Sequence, residues 1–483
     1  MKRRLSRRRF LQQSSLALGA ASVAISGTNV GAQVLGSNER VNVAVAGING
    51  RGGSHIGAYT SMKDVRVSHL IEPDRRIWAN KQKMVKDKAG YEPTMVTDFR
   101  KALDEKDLHC VSIATCNHWH APMTIFALQA NKDVYVEKPM SHNVHEGRIA
   151  VELAHKNKRI VQHGTQNRAS GGHADRAALA ASGKLGKLLI SRGLCYMGRG
   201  SIGFKPHKEP PKDLDFNLWL GPAPEQPYHE NLVHYNWHWF WDFGNGDIGN
   251  QGLPAMDTAR WFCPGATLPL KVFAIGGRFG YKDQAQTANT QIVFYDYGPD
   301  KPMIIFEVRG LRTNPHLGEG IGNMMHFEEG TVTARGHFFP KGSDKAEKAP
   351  TADGKLNGPG GIFDNFIHCV RNRAPEQLHA NVLEAHYSSA LCHLGNISYR
   401  LGQEVPFSKQ SKALGDNKDV VETFDRMVDH LKLAGVKLEE TNYILGRVLN
   451  VDPQREKIIG DDQANRLLTR DYRAPFTIPD KIV

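Results

Sequence analysis

The 483-residue chain predicts an α/β fold: a doubly wound parallel sheet first, then an α+β region on an open, largely antiparallel sheet. Three observations carry this. Between Val41 and Val161, short apolar, β-branched runs alternate with helical stretches, the pattern of parallel βαβ units. A glycine-rich turn, Gly47-Ile48-Asn49-Gly50-Arg51-Gly52, follows the first of those runs and precedes a helix. From about Lys187 the pattern changes to strand-like runs separated by Gly and Pro turns, which suits antiparallel pairing.

In chain order, residues 1–32 predict a twin-arginine signal. Ser6-Arg7-Arg8-Arg9-Phe10-Leu11 precedes a small-residue, weakly apolar run from Ser14 to Ile25 and a Val30-Gly31-Ala32 cleavage pattern. The implied partner is the twin-arginine translocase, and the implied location is the periplasm or another exported compartment. Residues 40–168 hold the parallel-sheet domain. Its strands are Val41–Ala46, Val65–Ile71, Val111–Ala114, Asp133–Val136 and Arg159–Val161, and its helices Ser54–Met62, Ala79–Lys88, Pro122–Ala130 and Val144–Asn157. Residues 169–483 form the second domain. Its strands are Leu188–Tyr196, Lys271–Gly277, Thr290–Asp296, Met303–Arg309 and Glu329–Ala334, with helical periodicity over Gly361–Arg371 and Asn381–Leu401. The stretch from Pro340 to Gly360, rich in glycine and lysine, reads as a mobile loop.

Composition excludes several classes. The net charge is +12, and six of those charges are Lys2, Arg3, Arg4, Arg7, Arg8 and Arg9 of the leader. The remaining charges are mixed in sign along the chain, so nucleic acid is not expected as a partner. Beyond the leader no segment approaches the ~20 apolar residues of a membrane span. The six cysteines are scattered without CxxC or zinc spacing and read as core thiols.

The glycine-rich turn suits a dinucleotide, because glycine reaches positive φ and lets backbone amides approach a pyrophosphate at a helix N-terminus. Asn49 stands at the middle glycine position, as the non-glycine residue best suited to a left-handed conformation. Glu72, twenty residues beyond Gly52 at the end of the second strand, is placed to bind the adenosine ribose hydroxyls and to repel a 2′-phosphate. That favours NAD over NADP, with Arg75 and Arg76 nearby softening the preference. The fifth run ends in Glu137-Lys138-Pro139, which sends a cation out of the sheet edge where ligands collect. His118 and His120 form an HxH pair, but no third or fourth ligand of matching spacing is near, so no metal is expected.

These motifs resemble the Gfo/Idh/MocA family of oxidoreductases from about Val41 to the C-terminus. The likeness rests on the glycine-rich turn, Ala114-Thr115-Cys116-Asn117-His118-Trp119-His120-Ala121-Pro122, Glu137-Lys138-Pro139 and Gly164-Thr165-Gln166-Asn167-Arg168. It extends to Trp239-Phe240-Trp241-Asp242, Gly246-Asp247-Ile248-Gly249-Asn250-Gln251-Gly252 and Met256-Asp257-Thr258-Ala259-Arg260-Trp261, and looks most like a twin-arginine-exported branch.

The resemblance implies an N-terminal Rossmann domain, a sugar bound between the domains, and a homo-oligomer built through the open sheet. It also implies cofactor contacts from Gly47, Asn49, Gly50, Arg51, Gly52, Glu72, Asn117, His118, His120, Glu137, Lys138 and Gln166. Catalysis is expected of Lys138, Asn250, His238 and Asp257, the last more a structural than a chemical residue. One departure stands out. The usual general-base histidine, four residues after the position of Asn250, is replaced by Pro254. Proline has no titratable group, so Lys138, His234, Tyr235, His238 or Asp242 must take the proton if the reaction is a dehydrogenation. The expected activity is NAD(P)-dependent oxidoreduction of a sugar, sugar alcohol or glycoside with a retained cofactor. The alternatives are a glycosidase working by transient oxidation and elimination, and a non-catalytic carbohydrate-binding protein. The tryptophans at 219, 237, 239 and 241, with Tyr235, offer faces for sugar rings.

Overall fold

The computed structural model describes residues 40–482 apart from 408–413, 415 and 416. The stretch expected to be a twin-arginine leader lies outside the described residues. Six strands, β1 (Val41–Ala46), β2 (Val65–Ile71), β3 (Thr94–Val96), β4 (Cys110–Ile113), β5 (Asp133–Val136) and β6 (Val161–His163), form a sheet ordered β3-β2-β1-β4-β5-β6. Every pair in it is parallel. Parallel strands need crossovers, and the helices α1 (Gly52–Thr60), α2 (Trp78–Ala89), α3 (Phe99–Leu103), α4 (Asn117–Gln129) and α5 (Val144–Lys156) supply them. Their chemistry explains where they start: Asn143 accepts from the Glu146 amide at the head of α5, and Asp98 from the Arg100 amide at the head of α3. β4 and β5 are buried along their whole length, as continuous apolar runs in a sheet covered on both faces should be. The strand order reverses between β1 and β4. This is the switch point where a crevice opens beyond the carboxyl ends of the strands.

After α6 (Gly171–Ala181) comes a twelve-stranded sheet. Its centre is β11 (Ile321–Phe327), β7 (Leu188–Cys195), β10 (Met303–Arg309), β9 (Thr290–Asp296) and β8 (Lys271–Gly277), in that spatial order. β7 and β10 run parallel and the other described pairs are antiparallel, so the sheet is mixed but mostly antiparallel. Period-2 alternation sorts its side chains. Ile304, Phe306 and Val308 pack with α7 (Leu253–Trp261) and α8 (Val382–Arg400), whereas Ile305 packs under α9 (Lys418–Leu433).

Three features depart from the sequence reading. β3 and β11 and the helices α3, α6, α7 and α9 were not predicted, β3 because three residues carry too little pattern. The stretch 340–360 is docked rather than loose: Gly354 N donates to Asp175 Oδ1 at 2.9 Å and Lys184 Nζ to the Thr351 carbonyl at 2.6 Å. The long connection from Cys195 to Leu253 runs back over the C-terminal edge of the first sheet, where Leu214 forms an antiparallel bridge with Asp74.

Candidate active site

The carboxyl ends of β1, β2, β4 and β5 open onto a cavity of about 320 Å³, closed from the other side by residues of the 195–253 connection. Gly47 has φ of +77°, and a Cβ there would lie 2.6 Å from the Ala114 carbonyl oxygen. A Cβ on Gly52 would lie 2.0 Å from the Gly47 carbonyl oxygen, whereas Gly50 faces open space. Gly47 and Gly52 therefore make the tight turn, and Gly50 leaves room for a phosphate. The left-handed residue is Gly47; Asn49 has negative φ, so its expected left-handed conformation is corrected. Asn49, Gly50 and Arg51 line the cavity, and nearby Asn117 Oδ1 is buried without a protein donor. This donor set and the open approach at Gly50 fit a dinucleotide.

Glu72 lines the same cavity at 5 % exposure, its carboxylate accepting from the amides of Ile48 and Asp74, each at 3.2 Å. Burial pushes its pKa up to about 7 against the pull of those amides. Arg76 is spent on Asp74, and Arg75 lies over Trp78. Glu137 ties the glycine-rich turn to β5: its Oε1 accepts from Arg51 Nε at 2.8 Å and meets His55 Nε2 at 3.2 Å. Burial opposes its charge, but the His55 bond and the Arg51 and Lys138 charges hold it well below the usual carboxylate range.

Lys138 projects into the cavity and donates from Nζ to the Asn250 carbonyl at 2.8 Å and to Asn250 Oδ1 at 3.1 Å. Two of its three N–H bonds are thereby used. Burial lowers its pKa, with the Glu137 charge working the other way. His238 lies on the opposite wall. Its Nδ1 sits 2.6 Å from the Tyr235 carbonyl, which can only accept, so Nδ1 carries the proton and Nε2 keeps its lone pair. Its ring stacks on Trp237 at 3.6 Å, and burial, aided by the Lys138 charge, pushes its pKa down to about 3.

Other residues singled out from the sequence lie elsewhere. Asp257 is 1 % exposed and fully engaged: Arg168 bonds both its oxygens at 2.9 Å and Ser388 Oγ one of them at 2.6 Å. It does not line the cavity, and its carboxylate ties the Arg168 turn to Ser388. His118 does not line the cavity; its Nε2 bonds the Trp219 carbonyl at 3.0 Å, holding the wall rather than a cofactor. His120 does line it, braced against the Pro139 carbonyl at 2.6 Å. Gln166 is exposed and outside the cavity lining, and Asp242 is engaged with Gln226. Pro254 sits in the first turn of α7, its carbonyl accepting from Thr258 Oγ1 at 2.9 Å. Among the tryptophans, Trp219 and Trp237 reach the cavity, as does Trp119, which the sequence reading passed over. Among the described residues no group of three His, Cys, Asp or Glu side chains is arranged to hold a metal ion. Asp74 was also missed, because its partner His234 lies 160 residues away and no local pattern links them.

Two family models match. Residues 41–165 match the oxidoreductase family's NAD-binding Rossmann fold, and residues 194–431 match its C-terminal alpha/beta domain. The chain belongs to the Gfo/Idh/MocA oxidoreductase family. Over 121 residues it is 31% identical to the inositol 2-dehydrogenase of Salmonella typhimurium, covering 25% of this chain and 36% of that protein. Over 158 residues it is 26% identical to glycosyl hydrolase family 109 protein 1 of Shewanella sp. strain MR-4, covering 31% of this chain and 34% of the relative. The matched stretches thus span about a third of the length of these curated relatives. Among solved structures, the WlbA dehydrogenase of Bordetella pertussis, in complex with NADH and UDP-GlcNAcA, superposes with a TM-score of 0.55 at 16% identity, over 75% of this chain and 97% of that one. A levoglucosan dehydrogenase in complex with NADH gives a TM-score of 0.53 at 15% identity, over 74% and 96%. At these identities the family's two-part fold is what is shared.

Proposed function

We propose that this chain is an exported, nicotinamide-dependent oxidoreductase acting on a secondary alcohol of a sugar, sugar alcohol or glycoside. NAD is preferred over NADP, because Glu72 faces the ribose position and Arg76 is neutralised by Asp74. The observation that carries the reading is that the glycine-rich turn, Lys138 and the lone pair of His238 share one cavity. Gly47, Gly50, Arg51 and Glu72 would hold the dinucleotide, which when bound supplies the hydride acceptor. The rest is the protein's own chemistry. The free N–H of Lys138 donates to the reacting oxygen and fixes the carbinol C–H toward the cofactor, while His238 Nε2 takes the hydroxyl proton as the C=O bond forms. His238 thereby replaces the histidine that Pro254 displaced.

Replacing His238 with Asn should cut kcat about 10²- to 10⁴-fold on a turned-over sugar while the protein keeps its nucleotide. Unchanged kcat would remove His238 from the chemistry. The base is neutral above its own pKa, which lies below the ordinary value of 6.5, so activity should persist as pH falls through 6.5.

The similarity to the Shewanella glycosyl hydrolase supports a second reading. In it, oxidation of one ring carbon acidifies the neighbouring C–H, the aglycone leaves, water adds, and the hydride returns to the same carbon. Release of a leaving group from an aryl glycoside without net change of cofactor redox state selects this reading. Net oxidation of a sugar, with matching reduction of the nucleotide or of a second sugar, selects the first, and neither activity in a nucleotide-loaded protein selects a carbohydrate-binding role. Export rests on Arg7 and Arg8. Changing both to lysine keeps the charge but should hold the precursor in the cytoplasm, as fractionation would show.

A further inference from the structure

The cavity meets solvent at a side chain whose ring and hydroxyl the proposed reaction does not use. Tyr235 lines the cavity yet is 53 % exposed, and of the large hydrophobic side chains left in water among the described residues it alone borders that space. A lone exposed aromatic needs no explanation; one clamped at the mouth of a cavity does. Arg199 Nη1 donates to Tyr235 Oη at 3.2 Å, while Arg199 Nε and Nη2 donate to the two oxygens of Asp247 at 2.9 and 2.7 Å. Asp247 is buried, and the guanidinium lies over the Trp239 ring at 5.1 Å. The backbone of Arg199 is tied as well: its N–H donates to the Gly310 carbonyl at 2.8 Å, and its carbonyl accepts from Tyr281 Oη at 3.0 Å.

A ring held in water by a buried ion pair is presented to a ligand. Because the guanidinium donates the bond, the Tyr235 hydroxyl keeps its own proton to give outward. Of the five N–H groups of Arg199 three are used and two remain. A flat apolar face flanked by donors suits a sugar ring, whose C–H surface packs on the aromatic face while its hydroxyls accept the hydrogen bonds. The His238 ring lies 4.8 Å from that of Tyr235, so this face begins beside the base that takes the reacting proton. Phe204, 69 % exposed, stands on the same rim. The carbonyl of its neighbour Gly203 accepts from Gln284 N at 3.1 Å and Asn231 Nδ2 at 3.4 Å, and Asn231 Oδ1 accepts from Asn236 Nδ2, next to Tyr235, at 3.3 Å.

We propose that Tyr235 and Arg199 form an outer subsite for the ring next to the reacting one, so that the substrate is a glycoside of at least two rings, with Phe204 extending the surface for longer chains. The inference rests on the reading that a sugar reacts beside Lys138 and His238. A free monosaccharide or sugar alcohol fills only the inner part of such a site and is held more weakly.

The test titrates the protein, with NAD present, by calorimetry against homologous series of one to four rings built from glucose, xylose, galactose and N-acetylglucosamine. In a series that binds, affinity should rise about 10- to 100-fold from one ring to two, the worth of an aromatic contact with one or two hydrogen bonds. Tyr235→Ala should bring that ratio close to one, whereas Tyr235→Phe, which keeps the face, should retain most of it. Phe204→Ala should weaken only the three- and four-ring members. Equal affinity for one ring and two in every series that binds would overturn the outer subsite and leave the inner site standing. A full ratio in folded Tyr235→Ala would overturn its assignment to Tyr235. A gain with chain length but no turnover would keep the subsite and remove the oxidoreductase reading, and a protein that binds no member of any series would overturn both.

Discussion

Lys138 shows how a residue can be legible in one dimension and its setting only in three. A lysine after a buried run, followed by proline, reads as a cation at a sheet edge. That it leans on Asn250, 112 residues away, does not. If Lys138 orients the reacting hydroxyl, Lys138→Ala should lower kcat about 10²- to 10⁴-fold without loss of fold, measured by single-turnover kinetics and circular dichroism. Lys138→Arg should restore little, because a planar guanidinium cannot take the place of a compact ammonium between two Asn250 oxygens. Near-normal turnover in Lys138→Ala would displace it from the site. The histidines teach the converse. His118 and His120 are separated by a single residue and look equivalent in sequence. Yet α4 turns them about 100° per residue, so one braces the wall at Trp219 while the other borders the cavity. Spacing says that residues are close, not which way each faces.

At the scale of elements, every strand of the first sheet but β3 was legible, β4 and β5 most plainly because they are buried along their whole length. The helices α1, α2, α4, α5 and α8 were legible through their 3.6-residue period, and α3, α6 and α7 were not. α9 carries the same kind of signal, with Val420, Phe424, Met427 and Leu431 on one buried face. What no pattern revealed is how elements are tied together. Asp257 on α7 joins the turn carrying Arg168 to Ser388 on α8. Its carboxylate is held at about 2, since the Arg168 charge and bonds outweigh the cost of burial. Asp257→Asn should therefore destabilise the protein, by at most the cost of breaking a buried ion pair, about 3–5 kcal/mol, because Arg168 keeps Glu384 at 3.0 Å as a second acid partner. A marked fall in Tm with kcat kept within a few-fold would confirm a scaffold. A kcat collapse at undiminished Tm would return Asp257 to the chemistry.

Across the whole molecule, the buried titratable groups give the fold a direction in pH. His118, His238, His316 and His393 are pushed down to about 3, and His163 and His430 to about 4, with burial the leading cause in each case. All have an unfolded value near 6.5. Between these limits the unfolded chain binds protons that the native chain refuses, so stability must fall as pH drops from 6.5 toward 4. Asp257 and Glu456, held at about 2, extend the loss to lower pH, because their contribution is full above the unfolded carboxylate value and disappears as pH falls through the folded one. Glu72 and Glu146 act in the opposite sense. Burial raises both to about 7, so the native state holds protons there that the unfolded state has released, and stability declines as pH rises from the ordinary value of 4.5 to 7. Six histidines outnumber two carboxylic acids, so the net slope between pH 4 and 6.5 should be positive. Thermal unfolding followed by calorimetry at half-unit steps should show Tm rising over that range and flattening near neutrality. A nucleotide-loaded sample should lie above the empty one by an amount that grows with bound ligand. A Tm that stays level from pH 4 to 6.5 would mean that these imidazoles reach water or acid partners in the native state, and with it the enclosed cavity that keeps His238 neutral would have to be abandoned.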